Sequence, residues 1–173
     1  IDKRLITNEI NDLHERGYKE IVLTGTQLGT YGFDLINDNL ETLIKFIMTE
    51  TSIERLRISS IQAHEISENL LKIYEQYSQR ICNHFHLALQ SGSNNILKLM
   101  RRKYNNNDYL KSVNLIKSKL VNPSISTDVI VGFPGETEKD FNDTLNIIKS
   151  SKFSKIHLFP YSDRPGTSSY YFK

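Results

Sequence analysis

The chain has 173 residues, 38% of them hydrophobic, which is enough for one domain with a sizeable core and too many for a disordered chain. Its 22 Lys and Arg residues against 20 Asp and Glu residues give a net charge of +2, which argues against an acidic tail and against a strongly basic, nucleic-acid-coating protein. No apolar run approaches the ~20 residues that a membrane-spanning helix needs, and no signal-peptide pattern opens the chain, so we expect a cytoplasmic protein.

Cysteine usage and the two ends of the chain give further expectations. Cys82 is the only cysteine, so the chain alone can form neither an intrachain disulfide nor a cysteine-based zinc or iron–sulfur site, and a reducing compartment is expected. The chain opens on Ile1 instead of Met and stops at Lys173 directly after an aromatic run. We therefore expect a segment of a longer protein.

Five segments are predicted as strands, because they are rich in β-branched and aromatic residues and are bounded by turn formers. A helix at 4–15 precedes them, and apolar residues with helical spacing lie between them. Thr137 followed by Asp140 has capping-box spacing and predicts a helix start just after Gly135. This alternation predicts an α/β fold. The strands are predicted at 20–24, 55–59, 83–89, 125–131 and 155–160, and the intervening helical patterns at 40–47, 70–77, 94–100, 108–117 and 141–148.

Three consecutive predicted strands have one apolar and one polar face. Helices cover both faces of a doubly wound sheet, so polar faces favour a curved, barrel-like sheet that encloses a site. Five strands are fewer than the eight of a closed barrel, which predicts a partial barrel or one that further sequence completes. The polar faces carry Arg57 and Ser59 in the second strand, His84, His86 and Gln90 in the third, and Ser126 and Asp128 in the fourth.

Glycine-rich loops follow the first, third and fourth predicted strands, where barrel active sites form. Each loop is also explained by turn geometry, with Ser93 as a helix N-cap in the second of them. A basic cluster at 100–104 suits a phosphate or a carboxylate, although a solvated helix end explains it nearly as well. The loops lie at 23–32, 90–93 and 131–137, and a turn at 164–167 adds another cation.

The histidines of the third strand have two interpretations. His84 and His86 are two residues apart on one face and could bind a metal together with His157 and Asp128, as in barrel hydrolases with a His-x-His pair. His84, however, lies toward the floor of the predicted barrel, away from its mouth. We favour hydrogen-bonded interior histidines and keep the metal hydrolase as an alternative.

Taken together, seven strings resemble the radical S-adenosylmethionine (SAM) tRNA methylthiotransferases, most of all the branch that acts on threonylcarbamoyladenosine. The resemblance covers nearly the whole chain in family order. It implies that residues 1–173 are an incomplete radical SAM core, a partial (β/α)6 TIM-like barrel with five of its six strands. The strings are EIVLTG at 20–25, LGTYG at 28–32, RISSI at 57–61, HFHLALQSGS at 84–93, MRRKY at 100–104, TDVIVGFPGET at 127–137 and FPYSDRPGT at 159–167.

The activity that this resemblance implies is methylthiolation at C2 of N6-threonylcarbamoyladenosine next to the anticodon of a tRNA. It implies SAM, 4Fe-4S clusters and a reductant for the cluster, in a monomeric protein. The family's C-x3-C-x2-C cluster loop, first strand, N-terminal methylthiotransferase domain and C-terminal TRAM domain would lie outside this segment, so we expect activity only in the longer parent protein. Two alternatives remain: a relative that modifies an aspartate of a ribosomal protein, and a non-catalytic remnant or RNA-binding scaffold.

The resemblance also implies roles for individual residues. Proline is expected at Ala63 and Ala88 in much of the family, and its absence at Ala88 is expected to loosen the next loop slightly. The implied contacts of SAM are Thr24 and Gly25 at the methionine end, with Ser59 and Ser60 nearby, Gln90, Ser91 and Gly92 at the ribose or adenine, Arg102 at the carboxylate, and Asp128, Gly132, Phe133 and Pro134 on the adenine side. The implied contacts of the tRNA base or its carbamoyl-threonine group are Tyr31, Arg57 and Arg164.

Overall fold

A computed structural model describes residues 1–172 of the chain, in which helices and parallel strands alternate. No helix within these residues is long and apolar enough to cross a membrane. The helices are α1 (Lys3–Glu15), α2 (Leu40–Glu50), α3 (Glu68–Gln76), α4 (Asn94–Leu99), α5 (Asn106–Lys119) and α6 (Glu138–Ser151). The strands are β1 (Glu20–Leu23), β2 (Arg55–Ile58), β3 (Ser60–Ile61), β4 (His84–Leu87), β5 (Ser124–Val131) and β6 (Lys155–Pro160).

The predicted second strand is interrupted at Ser59. β2 pairs with β1, β3 pairs with β4 and leads into the order β3-β4-β5-β6, and all these pairs are parallel. Leu56 of β2 also forms a parallel bridge with Ile81, just before β4, so the sheet continues across the interruption. The backbone N–H of Ser59 still donates to the carbonyl of Leu23, 3.0 Å away, so the two parts stay joined at this point. The predicted second strand is therefore two short strands, and the predicted α/β partial barrel is confirmed.

The core lies between the outer face of the sheet and the helices. Phe85 of β4 is fully buried and stacks on Tyr74 of α3, with ring centroids 4.5 Å apart. The hydroxyl of Tyr109 in α5 donates to the carbonyl of Leu87, 2.8 Å away. Helices thus cover the apolar face of the central strands, and the polar face is left for the interior of the partial barrel, as the alternation predicts.

The start of α6 follows directly from its sequence. Thr137 is the N-cap residue, its side chain accepts a hydrogen bond from the backbone N–H of Asp140, and the carboxylate of Asp140 accepts one from the N–H of Thr137. This capping box satisfies two backbone donors that the first turn of a helix leaves unpaired. The predicted helix start after Gly135 is confirmed.

Candidate ligand-binding site

A cavity of about 690 Å³ opens at the carboxyl ends of β4, β5 and β6, and we call it the mouth cavity. Its volume is within the range of small-molecule sites, and it lies where parallel α/β barrels place their active sites. Five residues predicted to contact SAM or the tRNA base line it together: Gln90, Arg102, Asp128, Phe133 and Arg164.

The backbone of Gln90 is held in an uncommon conformation at the edge of this cavity. Its φ of 64° is in the left-handed region, which residues other than glycine rarely adopt. Two backbone hydrogen bonds of 2.8 Å hold it there, from its N–H to the carbonyl of Asp128 and from the N–H of Ile130 to its carbonyl. Such conformations cluster at binding and active sites, where the surrounding structure compensates the strain.

Below the mouth cavity, the polar faces of β4 and β5 form a hydrogen-bonded network. The Oγ of Ser126 lies 3.0 Å from Nε2 of His84 and 2.9 Å from Nδ1 of His86, and Nε2 of His86 lies 3.0 Å from Oδ2 of Asp128. His157 of β6 meets the ring of His86 edge-on, with centroids 5.7 Å apart. The prediction of hydrogen-bonded interior histidines is confirmed.

The structure does not form a metal site from the four residues of the hydrolase alternative, His84, His86, His157 and Asp128. Within residues 1–172, no group of three or more His, Cys, Asp or Glu side chains has an arrangement that could hold a metal ion. Three of the ring nitrogens of His84 and His86 are already engaged by Ser126 and Asp128. The geometry therefore gives the His-x-His hydrolase alternative no ligand set.

A second cavity, of about 590 Å³, lies toward the amino ends of the strands, and we call it the floor cavity. Arg57, Ser59 and Ser60 line it together with His84 and His86. Burial, followed by the charges of Arg57 and His86, lowers the pKa of His84. Of the residues predicted to contact SAM or the tRNA base, Arg57, Ser59 and Ser60 therefore line the floor cavity and not the mouth cavity.

Arg57 is already paired across the sheet. Its Nε donates to Oε1 of Glu20 in β1 over 2.7 Å, and Nε of Arg55 lies 3.2 Å from the other carboxylate oxygen. The hydrogen bond from Arg57 is the largest cause that lowers the pKa of Glu20. The structure therefore places Arg57 in an ion pair on the floor side, and its contact with the tRNA base stays a prediction.

Ser91 and Gly92 are buried against α6 instead of facing either cavity. The N–H of Gly92 donates to Oγ1 of Thr144 over 2.9 Å, and the hydroxyl of Ser91 lies 3.2 Å from the same oxygen. A Cβ added at Gly92 would lie 2.6 Å from Cα of Thr144. Ser93 is the N-cap of α4, as turn geometry predicts. The close approach that Gly92 permits is therefore an approach to a helix.

The loop after β1 lies apart from both cavities. Thr24 and Gly25 are exposed, and the hydroxyl of Tyr31 donates to the backbone carbonyl of Ile1 over 3.0 Å. None of these three residues lines the mouth cavity or the floor cavity. The structure therefore does not bring them to the group around Asp128.

The loop after β5 presents one aromatic side chain to the mouth cavity. Phe133 lines the cavity and packs edge-on against Tyr161, with ring centroids 5.2 Å apart. Gly132 precedes it with a φ of 72°, and its N–H donates to Oε2 of Glu136 over 2.6 Å. Gly132 and Pro134 thus flank and orient Phe133 without themselves lining the cavity.

One wall of the mouth cavity was missed by the site prediction. It comes from the end of β6 and the turn after it, where Phe159, Tyr161 and Thr167 face the cavity alongside Arg164. The signal was present in the FPYSDRPGT string, which directly follows a strand, as catalytic loops of parallel barrels do. Arg164 is the one residue of this wall that the resemblance assigns to the site.

These features define a class of protein: a parallel α/β partial barrel with a polar interior and a ligand cavity at the carboxyl ends of its strands. The sequence profile described as the Radical SAM superfamily matches residues 1–148. The chain belongs to the radical SAM superfamily.

Relatives with established names are similar over almost the whole chain. Over 167 residues it is 44% identical to a threonylcarbamoyladenosine tRNA methylthiotransferase of Bacillus subtilis, and over 169 residues it is 45% identical to one of Aquifex aeolicus; these matches cover 96% and 98% of the chain. It is also 42% identical, over 95% of its length, to a tRNA-2-methylthio-N(6)-dimethylallyladenosine synthase of Clostridium tetani. The chain spans only 37%, 41% and 36% of these relatives, in that order. The resemblance to methylthiotransferases is confirmed.

Solved structures agree on the fold. The radical SAM methyltransferase TsrM from Kitasatospora setae superposes with a TM-score of 0.71 at 12% identity, over 92% of this chain and 31% of that one. Coproporphyrinogen III oxidase from Escherichia coli, a radical SAM enzyme, gives a TM-score of 0.67 at 17% identity, over 93% of this chain and 37% of the oxidase chain. At these identities the likeness establishes the architecture alone.

Of the two cofactors that the resemblance implies, the described residues suit SAM but not a 4Fe-4S cluster. A 4Fe-4S cluster is held by several cysteine thiolates, whereas Cys82 is a single buried thiol beside the guanidinium of Arg55, 3.5 Å away. Within residues 1–172 there is thus no ligand set for the cluster. The mouth cavity does suit SAM, because Asp128 can accept from hydroxyl or ammonium groups, Arg102 can pair with a carboxylate, and Phe133 offers an apolar face.

Proposed function

We propose that the chain is the SAM-binding barrel of a longer tRNA methylthiotransferase, which modifies C2 of N6-threonylcarbamoyladenosine beside the anticodon. One observation carries the proposal. In a chain 44% and 45% identical to two relatives with that name, Gln90, Arg102, Asp128, Phe133 and Arg164 meet in a single cavity at the carboxyl ends of the strands.

The residues of the cavity would bind and orient the cofactor. Asp128 accepts hydrogen bonds from donor groups, Gln90 can donate and accept beside it, and Arg102 pairs with the carboxylate. Phe133 covers the adenine, with Gly132 and Pro134 setting its position. SAM supplies the radical chemistry and the methyl group when it is bound. The contribution of this chain is placement and the exclusion of water.

The other predicted contacts, which do not line the mouth cavity, are also part of the proposal. Thr24, Gly25, Ser59 and Ser60 would approach the methionine end only if the cofactor extends beyond the mouth cavity toward β1 and β3. Ser91 and Gly92 would act indirectly, by fixing the loop that carries Gln90. Tyr31 and Arg57 would contact the tRNA from outside the cavity.

The arginines of the mouth cavity favour threonylcarbamoyladenosine as the base. That nucleoside carries a carboxylate on its threonyl group, whereas a dimethylallyl group carries no charge. Arg164 lines the mouth cavity from the turn after β6, and a guanidinium there would pair with the threonyl carboxylate. Dimethylallyladenosine is the second candidate, because the Clostridium tetani relative is 42% identical.

The complete reaction would need parts beyond this chain. We propose that cluster ligands, a reductant for the cluster and the tRNA itself meet the barrel in the longer protein, as a cytoplasmic monomer. Because Cys82 is the only thiol, we expect no cleavage of SAM by the 173-residue chain alone. Formation of 5′-deoxyadenosine by this chain after anaerobic reconstitution with iron and sulfide would contradict that expectation.

The test is a nucleoside analysis of total tRNA by mass spectrometry in a strain that lacks the gene for the longer protein. We expect the 2-methylthio derivative of threonylcarbamoyladenosine to disappear and its unmethylthiolated precursor to accumulate. Loss of the dimethylallyl derivative alone would support the second candidate. Unchanged tRNA with loss of methylthio-aspartate in a ribosomal protein would support the alternative substrate, and no change in either would support a non-catalytic scaffold.

A further inference from the structure

Three hydrogen bonds join four side chains into a relay between the two cavities. The relay runs from His84 through Ser126 and His86 to Asp128, with successive distances of 3.0, 2.9 and 3.0 Å. It follows from the sheet register, because parallel pairing sets His86 beside Ser126. His84 lines the floor cavity and Asp128 lines the mouth cavity, so the relay connects them.

Ser126 fixes the direction of the protons in this relay. The hydroxyl of Ser126 has one proton and, among the described residues, no partner besides the two imidazoles, so its proton is paired only if it donates to one imidazole and accepts from the other. If it donates to Nδ1 of His86, then His86 carries its proton on Nε2 and donates it to Asp128, while Nε2 of His84 donates to Ser126. All three contacts are then donor–acceptor pairs, with two neutral imidazoles and an ionised carboxylate.

The opposite direction mispairs one contact. If Ser126 donates to Nε2 of His84, then His86 donates from Nδ1, and in its neutral form it turns an unprotonated Nε2 toward the acceptor oxygen of Asp128. Two acceptors then face each other, and a buried polar group left unpaired costs about 1–3 kcal/mol. Nδ1 of His84 is buried without a hydrogen-bond partner within residues 1–172 in either order, so the contact between His86 and Asp128 decides between them.

The carboxylate of Asp128 has a second oxygen that the relay does not use. Oδ2 faces His86, whereas Oδ1 has no hydrogen-bond partner among the described residues, and the side chain is 26% exposed. His157 of β6 lies beside Asp128 in the register and turns its ring edge to His86. Because Asp128 lines the mouth cavity, Oδ1 is the carboxylate oxygen left for a ligand there.

We propose that His86 is a positioning residue, which, through the proton order set by Ser126, holds Oδ2 of Asp128 and presents Oδ1 to a hydroxyl or ammonium donor of the bound ligand. SAM has donors of both kinds, and on this point the inference rests on the proposed function. His86 itself does not touch the ligand. It restricts the carboxylate to one orientation before the ligand arrives, which reduces the entropy lost on binding.

The proton order can be read directly by ¹⁵N NMR of the imidazole rings in the 173-residue chain. We expect both His84 and His86 to be protonated on Nε2 and unprotonated on Nδ1 at neutral pH. In Ser126→Ala, Nδ1 of His86 loses its hydrogen bond and its resonance moves, and His84 loses its single tautomer. Ser124→Ala, which removes a hydroxyl from the same face of β5 but none from the relay, leaves both rings unchanged. A proton on Nδ1 of His86 in the wild type overturns the inference.

Binding of SAM to the same chain, measured by equilibrium dialysis, tests the consequence. We expect His86→Leu to weaken binding about tenfold, since Asp128 loses its charge-assisted partner. His86→Gln keeps an N–H toward Asp128 and stays within about threefold of the wild type. Equal binding by wild type and His86→Leu contradicts the inference and leaves the proposed function standing. No binding by the wild type contradicts the proposed function, and the NMR result then decides the inference alone.

Discussion

The hydroxyl of Ser93 donates a hydrogen bond of 2.5 Å to Oδ1 of Asp140, and this contact joins the loop after β4 to the first turn of α6. Asp140 is only 6% exposed, and its other oxygen accepts from the backbone N–H and the hydroxyl of Thr137. Because Ser93 also caps α4, one carboxylate connects the starts of two helices. Both helices follow strands whose ends form the mouth cavity, so the stability of this contact bears on the site.

Asp140→Asn is expected to destabilise the chain by about 1–3 kcal/mol, because an amide replaces a charged acceptor of three hydrogen bonds. The free energy of unfolding in urea measures this change. Asp143→Asn is the matched control on the same helix, since its side chain makes no hydrogen bond within the described residues, and it should stay within about 0.5 kcal/mol of the wild type. Equal effects of the two substitutions would show that the contact between Ser93 and Asp140 contributes nothing.

The same carboxylate predicts a pH dependence with a definite sign. Hydrogen bonds from Ser93 and then Thr137 lower the pKa of Asp140 from 3.8 to about 2. A group whose pKa falls on folding stabilises the protein above its unfolded value and loses that contribution as pH drops through the folded value. The gap in unfolding free energy between wild type and Asp140→Asn should therefore be constant above pH ~5 and shrink between pH ~4 and ~2. A gap that grows on acidification would contradict this origin.

Gly92→Ala is expected to destabilise the chain by about 1–3 kcal/mol, because its Cβ would clash with the backbone of α6 at Thr144. Gly25→Ala is the control, since its Cβ would find its nearest neighbour, Leu28, at an ordinary 3.8 Å. Thermal unfolding of the two variants distinguishes a packing role of the glycine from a purely ligand-facing one. Wild-type stability of Gly92→Ala would mean that the loop is free to move away from the helix.

Gln90 offers a test of stored backbone strain at the cavity. Gln90→Gly should leave the unfolding free energy within about 1 kcal/mol of the wild type, because relief of the left-handed conformation offsets the added freedom of the unfolded chain. Gln90→Val should cost more, since a β-branched residue tolerates φ near 64° poorly. Both variants should bind SAM more weakly than the wild type. If Gln90→Gly bound SAM as tightly, the side chain would have no part in the site.

The order of elements and the polar interior were predictable, because both depend on local patterns. Period-two alternation put His86 and Asp128 on inner faces, and the spacing of Thr137 and Asp140 gave the start of α6. The interruption at Ser59 was not predictable, since an interrupted strand has the same composition as a continuous one.

The role of Gly92 shows where sequence reasoning about the site fails. A loop needs a glycine where a helix comes close, and it also needs one where a ligand comes close. The sequence is the same in both cases. Only the contact with Thr144 distinguishes them. The ion pair of Arg57 was not predictable for a similar reason, because its partner Glu20 lies 37 residues away on another strand.

The most direct test of the central claim is the nucleoside content of tRNA from a strain whose only copy of the longer protein carries Asp128→Ala. Immunoblotting controls for the amount of protein, and Asp143→Asn is the matched variant outside the cavity. The account predicts that 2-methylthio-N6-threonylcarbamoyladenosine falls to traces while its precursor accumulates. A wild-type level of the methylthio nucleoside at normal protein abundance would contradict the assignment of the mouth cavity as the cofactor site.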